Sequence, residues 1–189
     1  MKEFKFKYLL LVFIPFLAGC VLSLEPFYTD NVVIQMPALN GKWQPADDQG
    51  NPENEHAWLI YDGDILTFDK GKSGLLKVTY FSINGLNFAD TSVDEERGYN
   101  DYQFFHFISG HLVSRIDVKD NRLAVRPLDK DWFEEFIREH PFPGNVRSEE
   151  YTSLVTNVSS QDWVDFLEKY GADEKAFPED RTMMFIRQN

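Results

Sequence analysis

Among 189 residues there is one cysteine, Cys20, so the chain can close no disulfide within itself and cannot assemble the paired-cysteine sets that hold structural zinc. Histidine is nearly as scarce, at four. The two that lie close, His106 and His111, are five apart, which places them on opposite faces of a continuous strand and without a third ligand. No metal and no other cofactor is expected. A membrane-spanning helix needs roughly 20 apolar residues. The apolar run from Tyr8 to Ala18 covers only 11. Basic charge is also short, with 19 Lys and Arg against 31 Asp and Glu, and a net charge of −12 disfavours nucleic acid and anionic headgroups.

Catalytic motifs are missing as well. No serine sits in a Gly-x-Ser-x-Gly elbow. Gly71-Lys72-Ser73 invites a phosphate-loop reading, but the glycine that motif needs five residues earlier is Leu66, and the surrounding pattern is a hairpin loop. Carboxylate pairs such as Asp62 with Asp64, Glu95 with Glu96, and Glu134 with Glu135 are what so acidic a chain contains by composition, and solvation accounts for them. The chain is therefore read as non-catalytic.

What is present begins with Lys2, Lys5 and Lys7, followed by the apolar run and then Leu17-Ala18-Gly19-Cys20. The pattern is that of a secretory signal. Its last four residues closely resemble the lipobox of bacterial lipoproteins. The resemblance implies cleavage between Gly19 and Cys20, a diacylglycerol on the Cys20 thiol and an N-acyl chain, palmitate among the fatty acids, on the new amino group. Each buried CH2 contributes about 0.8 kcal/mol, so two or three chains make a lasting membrane anchor. Val21, where an inner-membrane lipoprotein of a Gram-negative cell usually has aspartate, favours the periplasmic side of the outer membrane. Residues 1–19 are thus expected to be a cleaved signal, 20–37 a lipidated start and short tether, and 38–189 one globular domain.

Removing 19 residues leaves 170, enough for one domain with a sizeable core. Lys2, Lys5, Lys7 and Glu3 leave with the signal, so 16 basic face 30 acidic residues and the net charge becomes −14. The 17 Phe, 8 Tyr and 4 Trp supply large buried areas to a fold that has no disulfide to rely on.

Along the domain, strand signals dominate. Ala57 to Tyr61 and Ile65 to Asp69 flank the turn Asp62-Gly63-Asp64; Leu75 to Phe81 ends at Asn84-Gly85; Leu86 to Ala89 is a short strand. The acidic stretch Asp90 to Asp101 reads as a solvated loop, and Tyr102 to Ile108 as a buried strand. His111 to Val118 and Arg122 to Leu128 form a hairpin turning at Asp120-Asn121. A helix follows, capped by Asp129 or Asp131, with Trp132, Phe133, Phe136 and Ile137 on one face and Pro141 as its stop. A second starts near Ser159 or Ser160, carries Trp163, Phe166, Leu167 and Tyr170, and ends at Gly171. Strands are expected within Tyr151 to Asn157 and Thr182 to Arg187.

The fold class is mainly β with two short C-terminal helices (α+β), an antiparallel sheet forming an open or closed barrel. The passages LNGKW, HLVSRI and LAVRPLDKDW resemble a group of bacterial envelope lipoproteins of unassigned function with a lipocalin-like sheet. Gly41-x-Trp43 is similar to the lipocalin entry motif, in which the tryptophan closes one end of the barrel, and Asn100-Asp101-Tyr102 to a Thr-Asp-Tyr motif of that superfamily. The resemblance implies a fold and carries no functional residues.

One feature of the hairpin stands out. With the turn at Asp120-Asn121, Val118 faces Leu123 and Ile116 faces Val125 on one side, while the other side sets Lys119 opposite Arg122 and Arg115 opposite Arg126. Like charges placed so are destabilising. Either Asp117 and the acidic loop from Asp90 to Glu96 compensate them, or the four cations receive an anionic group such as a fatty-acid carboxylate. Three readings follow: a lipid-anchored binder of a small amphipathic or anionic ligand, with an aromatic-lined cavity; an interaction lipoprotein of an envelope assembly, with a filled core and an exposed aromatic patch; and a hydrolase of envelope polymers, with a cleft holding a perturbed carboxylate or histidine.

Overall fold

The computed structural model describes residues 20–47, 50–53, 56–69, 72–93, 110–144, 146–148 and 154–188. In chain order the strands are β1 (Val21–Ser23), β2 (Gly41–Pro45), β3 (His56–Tyr61), β4 (Asp64–Asp69), β5 (Lys72–Ile83), β6 (Leu86–Val93), β7 (His111–Lys119), β8 (Arg122–Pro127), β9 (Val146–Ser148), β10 (Leu154–Thr156) and β11 (Met183–Gln188). Helix α1 (Lys130–Glu139) lies between β8 and β9, and α2 (Ser160–Tyr170) between β10 and β11.

Strands β2 to β8 pair successively and antiparallel, and β11 inserts between β8 and β2, so eight strands close into an up-and-down, lipocalin-like barrel. Closure removes the unpaired edges an open sheet would expose. Tight turns set the registers. Asp62 and Gly63 have φ of 44° and 91°, and Asn84 and Gly85 have 51° and 80°, the left-handed pairs that suit two-residue hairpins.

Alternation sorts the barrel residues into two cores. Inward go Trp43, Ile60, Ile65, Val78, Ile116, Leu123, Val125 and Phe185, all buried. Outward from β5, β6 and β7 go Phe81, Phe88 and Val113, which meet Phe133, Trp163, Phe166, Leu167 and Phe177 of the segment between β8 and β11. The helices therefore lie on the outside of the barrel. Each fully buried Phe or Leu contributes about 1.5–3 kcal/mol, which makes this aromatic layer as substantial a core as the lumen.

Both helices begin as their caps require. The Asp129 carboxylate accepts from the Trp132 N–H at 2.7 Å, and Ser159 Oγ from the Asp162 N–H at 3.2 Å. Asp129 also meets Arg181 at 2.8 Å, tying the start of α1 to the turn before β11.

The lower end of the barrel is closed by the segment from Val33 to Asn40. Ile34 N–H donates to Tyr80 O at 2.9 Å, along the part of β5 that runs beyond β4. Trp43 is fully buried beneath this strap and donates from Nε1 to Leu39 O at 2.7 Å. Arg187 of β11 lies 4.5 Å over the Trp43 ring and donates to Asn40 O at 2.8 Å and to Ala38 O. Trp43 thus closes one end, as the Gly-x-Trp resemblance implies.

Three expectations need correction. The segment 20–37 is no tether: β1 pairs parallel with β10 and meets β7 at Ser23–His111, while Val21, Ser23 and Phe27 are buried. Parallel pairing with a strand more than 130 residues away leaves no local signal. Leu86 to Ala89 extends to Val93, so the acidic stretch begins inside a strand, and Asp90 is buried, not solvated. The strand from Leu75 to Phe81 is longer at both ends, because its first half pairs with β4 and its second with β6. Gly19, His106, the strand expected over Tyr102 to Ile108 and the Asn100-Asp101-Tyr102 motif lie outside the described residues.

Candidate functional site

The cationic ladder has the register expected of it: Arg115 opposite Arg126, Lys119 opposite Arg122, with Ile116–Val125 and Val118–Leu123 facing inward. Its four cations project from the outside of the barrel, away from the lumen. At one end of the ladder the chain itself engages two of the four cations, Arg115 and Arg126. Arg115 Nη1 donates to Gly171 O at the end of α2 at 3.2 Å; Arg126 Nε donates to Thr182 Oγ1 at 3.2 Å, with Glu179 3.7 Å away. Burial and then the neighbouring Arg126 hold the Arg115 guanidinium below its ordinary pKa, while Glu174, Glu179 and Asp117 pull it back up. Compensation therefore comes from the segment after α2 and, as expected, from Asp117, whereas Asp90 is turned toward Phe27 and His111. Lys119 and Arg122 remain exposed at the hairpin tip.

Asp90 faces the N-terminal segment. Its Oδ2 accepts from Phe27 N–H at 2.8 Å, and its Oδ1 lies 2.7 Å from His111 Nδ1. The Asp90 hydrogen bond raises the His111 pKa, opposed by burial, and the charges of Asp90 and Glu25 add to the rise. Ser23 is the register partner of His111, so a serine, a histidine and an aspartate meet here. Ser23 is 0% exposed, and its Oγ accepts from Trp163 Nε1 at 2.9 Å and from Glu25 N–H at 3.2 Å. That geometry makes it a structural acceptor between β1 and α2. The sequence reading missed this cluster; alternation from Phe88 to Asp90 on one face of β6 was its only local signal.

Cys20 is half-buried, and its carbonyl accepts from Leu154 N–H at 2.9 Å. Burial pushes its thiol pKa up. Glu134, read as solvated, pairs with Arg138 at 3.2 Å and Lys130 at 3.9 Å along α1. Among the described residues, no group of three or more His, Cys, Asp or Glu is placed to hold a metal ion, and no helix is long and apolar enough to cross a membrane.

Two surface grooves stand out among the described residues. One, of about 350 Å³, runs between the strap and β5 and is lined by Val33, Met36, Asn40, Asp62 and Tyr80. The Tyr80 hydroxyl is buried with no hydrogen-bond partner among the described residues, and burial raises its pKa. The other, of about 330 Å³, lies between α1 and the end of α2 and carries Trp132, Phe136 and Tyr170 beside Glu135 and Glu139. Apolar side chains also stay in solvent on the side of the barrel opposite the helices: Leu59 and Tyr61 of β3 are 42% and 67% exposed. Comparison with protein-family models, curated proteins and solved structures returned no match.

Proposed function

We propose that this chain is an exported, lipid-anchored, non-catalytic lipoprotein of the cell envelope, held on the periplasmic side of an outer membrane through acyl chains on Cys20, and that it works by binding a protein partner on the outer face of its barrel. The observation that carries the reading is the face of β3 to β5. Register aligns Leu59, Leu66 and Leu75 in one cross-strand row, with Tyr61 beside it, on the side that α1 and α2 leave uncovered. Meanwhile Trp43, Phe185 and their neighbours fill the strap-side half of the lumen. Leu59 and Tyr61 are exposed and Leu66 and Leu75 half-buried, and apolar surface gathered on one face in this way marks interaction sites. Its position suits the anchor: Cys20 leads straight into β1, which attaches to β7, four strands around the barrel from β3. A bilayer at Cys20 would leave the Leu59 face turned away from it and open to partners.

A second reading has its own support. Trp58, Leu76 and Met183 pack against the inner core and are only partly buried, so a small amphipathic ligand would find an apolar floor inside the barrel. An anionic group would meet only Lys119 and Arg122 at the hairpin tip, because Arg115 and Arg126 are engaged by the chain itself.

Two measurements on the full chain in host membranes test the proposal. Labelled palmitate should enter the protein and be lost with Cys20→Ser; persistence of label in that variant would remove the anchor. A photo-crosslinking amino acid in place of Tyr61 should give one discrete protein adduct that Leu59→Glu abolishes. No adduct, together with a small molecule released by solvent in native mass spectrometry, would overturn the surface reading in favour of the barrel mouth.

A further inference from the structure

Helix α1 turns one stripe toward the 330 Å³ groove: Trp132, Glu135, Phe136, Glu139 and His140, spaced at three and four residues. Tyr170, Asp173 and Lys175 form the opposite wall. Trp132 and Phe136 stack at 5.3 Å between centroids and Phe136 and His140 at 4.6 Å, while Tyr170 lies tilted against Trp132 at 6.0 Å and edge to face with Phe136 at 4.8 Å. Phe136 is the buried backing, and Trp132 and Tyr170 are half-buried walls.

The charges around these rings are unspent. Glu135 and Glu139 stand one turn apart, an arrangement that destabilises a helix. Neither makes an ion pair or hydrogen bond among the described residues, although Lys130 and Arg138 on the same helix both serve Glu134. Asp173 accepts from the Lys175 backbone N–H at 2.8 Å, which fixes a third carboxylate at the rim. Against three carboxylates the groove has one lysine, Lys175, and it forms no ion pair among the described residues.

Aromatic faces under a negative potential attract a desolvated organic cation through their quadrupoles and through the carboxylates together. A metal ion would want converging oxygen ligands instead, and a neutral apolar ligand would gain nothing from Glu135 and Glu139. The volume lies at the small end of ligand sites, about 300–1,000 Å³. We propose that this groove binds an alkylammonium group, with Trp132 and Tyr170 against the cation and Glu135 and Glu139 supplying the charge. It does not rest on the reading of Cys20 or of the Leu59 face.

The test is a titration of the full chain, in a non-ionic detergent at low salt, with choline and with its uncharged isostere 3,3-dimethylbutanol, reading the tryptophan indole N–H signals by NMR. Choline should shift the Trp132 signal saturably, and the isostere should bind at least roughly tenfold more weakly. Glu135→Gln with Glu139→Gln, both on the exposed side of α1, should weaken choline on the order of tenfold, and Lys175→Gln should strengthen it. Phosphatidylcholine vesicles distinguish a lipid headgroup from a free amine as the source: choline that displaces bound vesicles assigns the headgroup, and choline binding without vesicle binding assigns a soluble ligand. Equal binding of the isostere, an unchanged affinity in the double variant, or no shift of Trp132 would overturn the proposal.

Discussion

Replacing Asp90 with alanine removes a carboxylate that is 2% exposed and holds two elements at once: the Phe27 N–H of the N-terminal segment at 2.8 Å and the His111 ring of β7 at 2.7 Å. Hydrogen bonds to a charged group contribute about 1.5–3 kcal/mol each, and breaking a buried ion pair from one side costs about 3–5 kcal/mol. Against a total stability of about 5–15 kcal/mol this is a large share. Urea unfolding followed by tryptophan fluorescence should therefore show Asp90→Ala less stable by about 3 kcal/mol or more, with Tm lower on the order of 10 °C. The pH dependence has a definite sign. Asp90 raises the His111 pKa above its ordinary 6.5 in the folded protein. The stabilisation is then fully present below the unfolded value and is lost as pH rises through the folded one. The stability advantage of the natural protein over His111→Gln should shrink from pH 5.5 to pH 9, a comparison in which the other carboxylates cancel. Parallel curves for the two proteins, or a cost below about 1 kcal/mol for Asp90→Ala, would refute the argument.

Arg187→Ala should cost about 2–3 kcal/mol, because it strips the cation from the Trp43 face and leaves the Asn40 and Ala38 carbonyls without their donor; calorimetry should show the loss, and hydrogen exchange should rise first in the strap from Val33 to Asn40. Lys119→Glu turns a like-charged cross-strand pair with Arg122 into an opposite one, and should raise stability by about 0.5 kcal/mol at low salt, fading at high salt; a loss of stability in urea unfolding would show that the pair is not opposed as its register indicates.

Much of the barrel is legible locally. Asp62-Gly63 and Asn84-Gly85 announce their hairpins because only a few residue types tolerate left-handed backbone, and the alternation around Asp120-Asn121 yields the register of β7 and β8 residue by residue. The helix caps Asp129 and Ser159 follow from side-chain oxygens that satisfy free N–H groups. Less legible is anything set by partners far along the chain. Asp90 looks solvated among acidic neighbours until β6 turns it toward Phe27 and His111, and β1 looks like a tether until β10 supplies its parallel partner. Candidate sites divide the same way: the opposition of Arg115 and Arg126 is readable, but not the carbonyl of Gly171 and the carboxylate of Glu179 that occupy them.

The sequence by itself determined most barrel strands, both helices and the inside and outside of the hairpins at Asp62-Gly63, Asn84-Gly85 and Asp120-Asn121, because turns, caps and alternation act over a few residues. Tertiary structure alone decided that β11 returns to close the barrel, that the helices pack outside it, and that Trp132, Tyr170, Glu135 and Glu139 share one groove. Those outcomes depend on which faces cover one another far beyond the reach of a turn or cap, and burial of apolar surface is non-directional: it rewards covering a face without naming, in the local sequence, what will cover it.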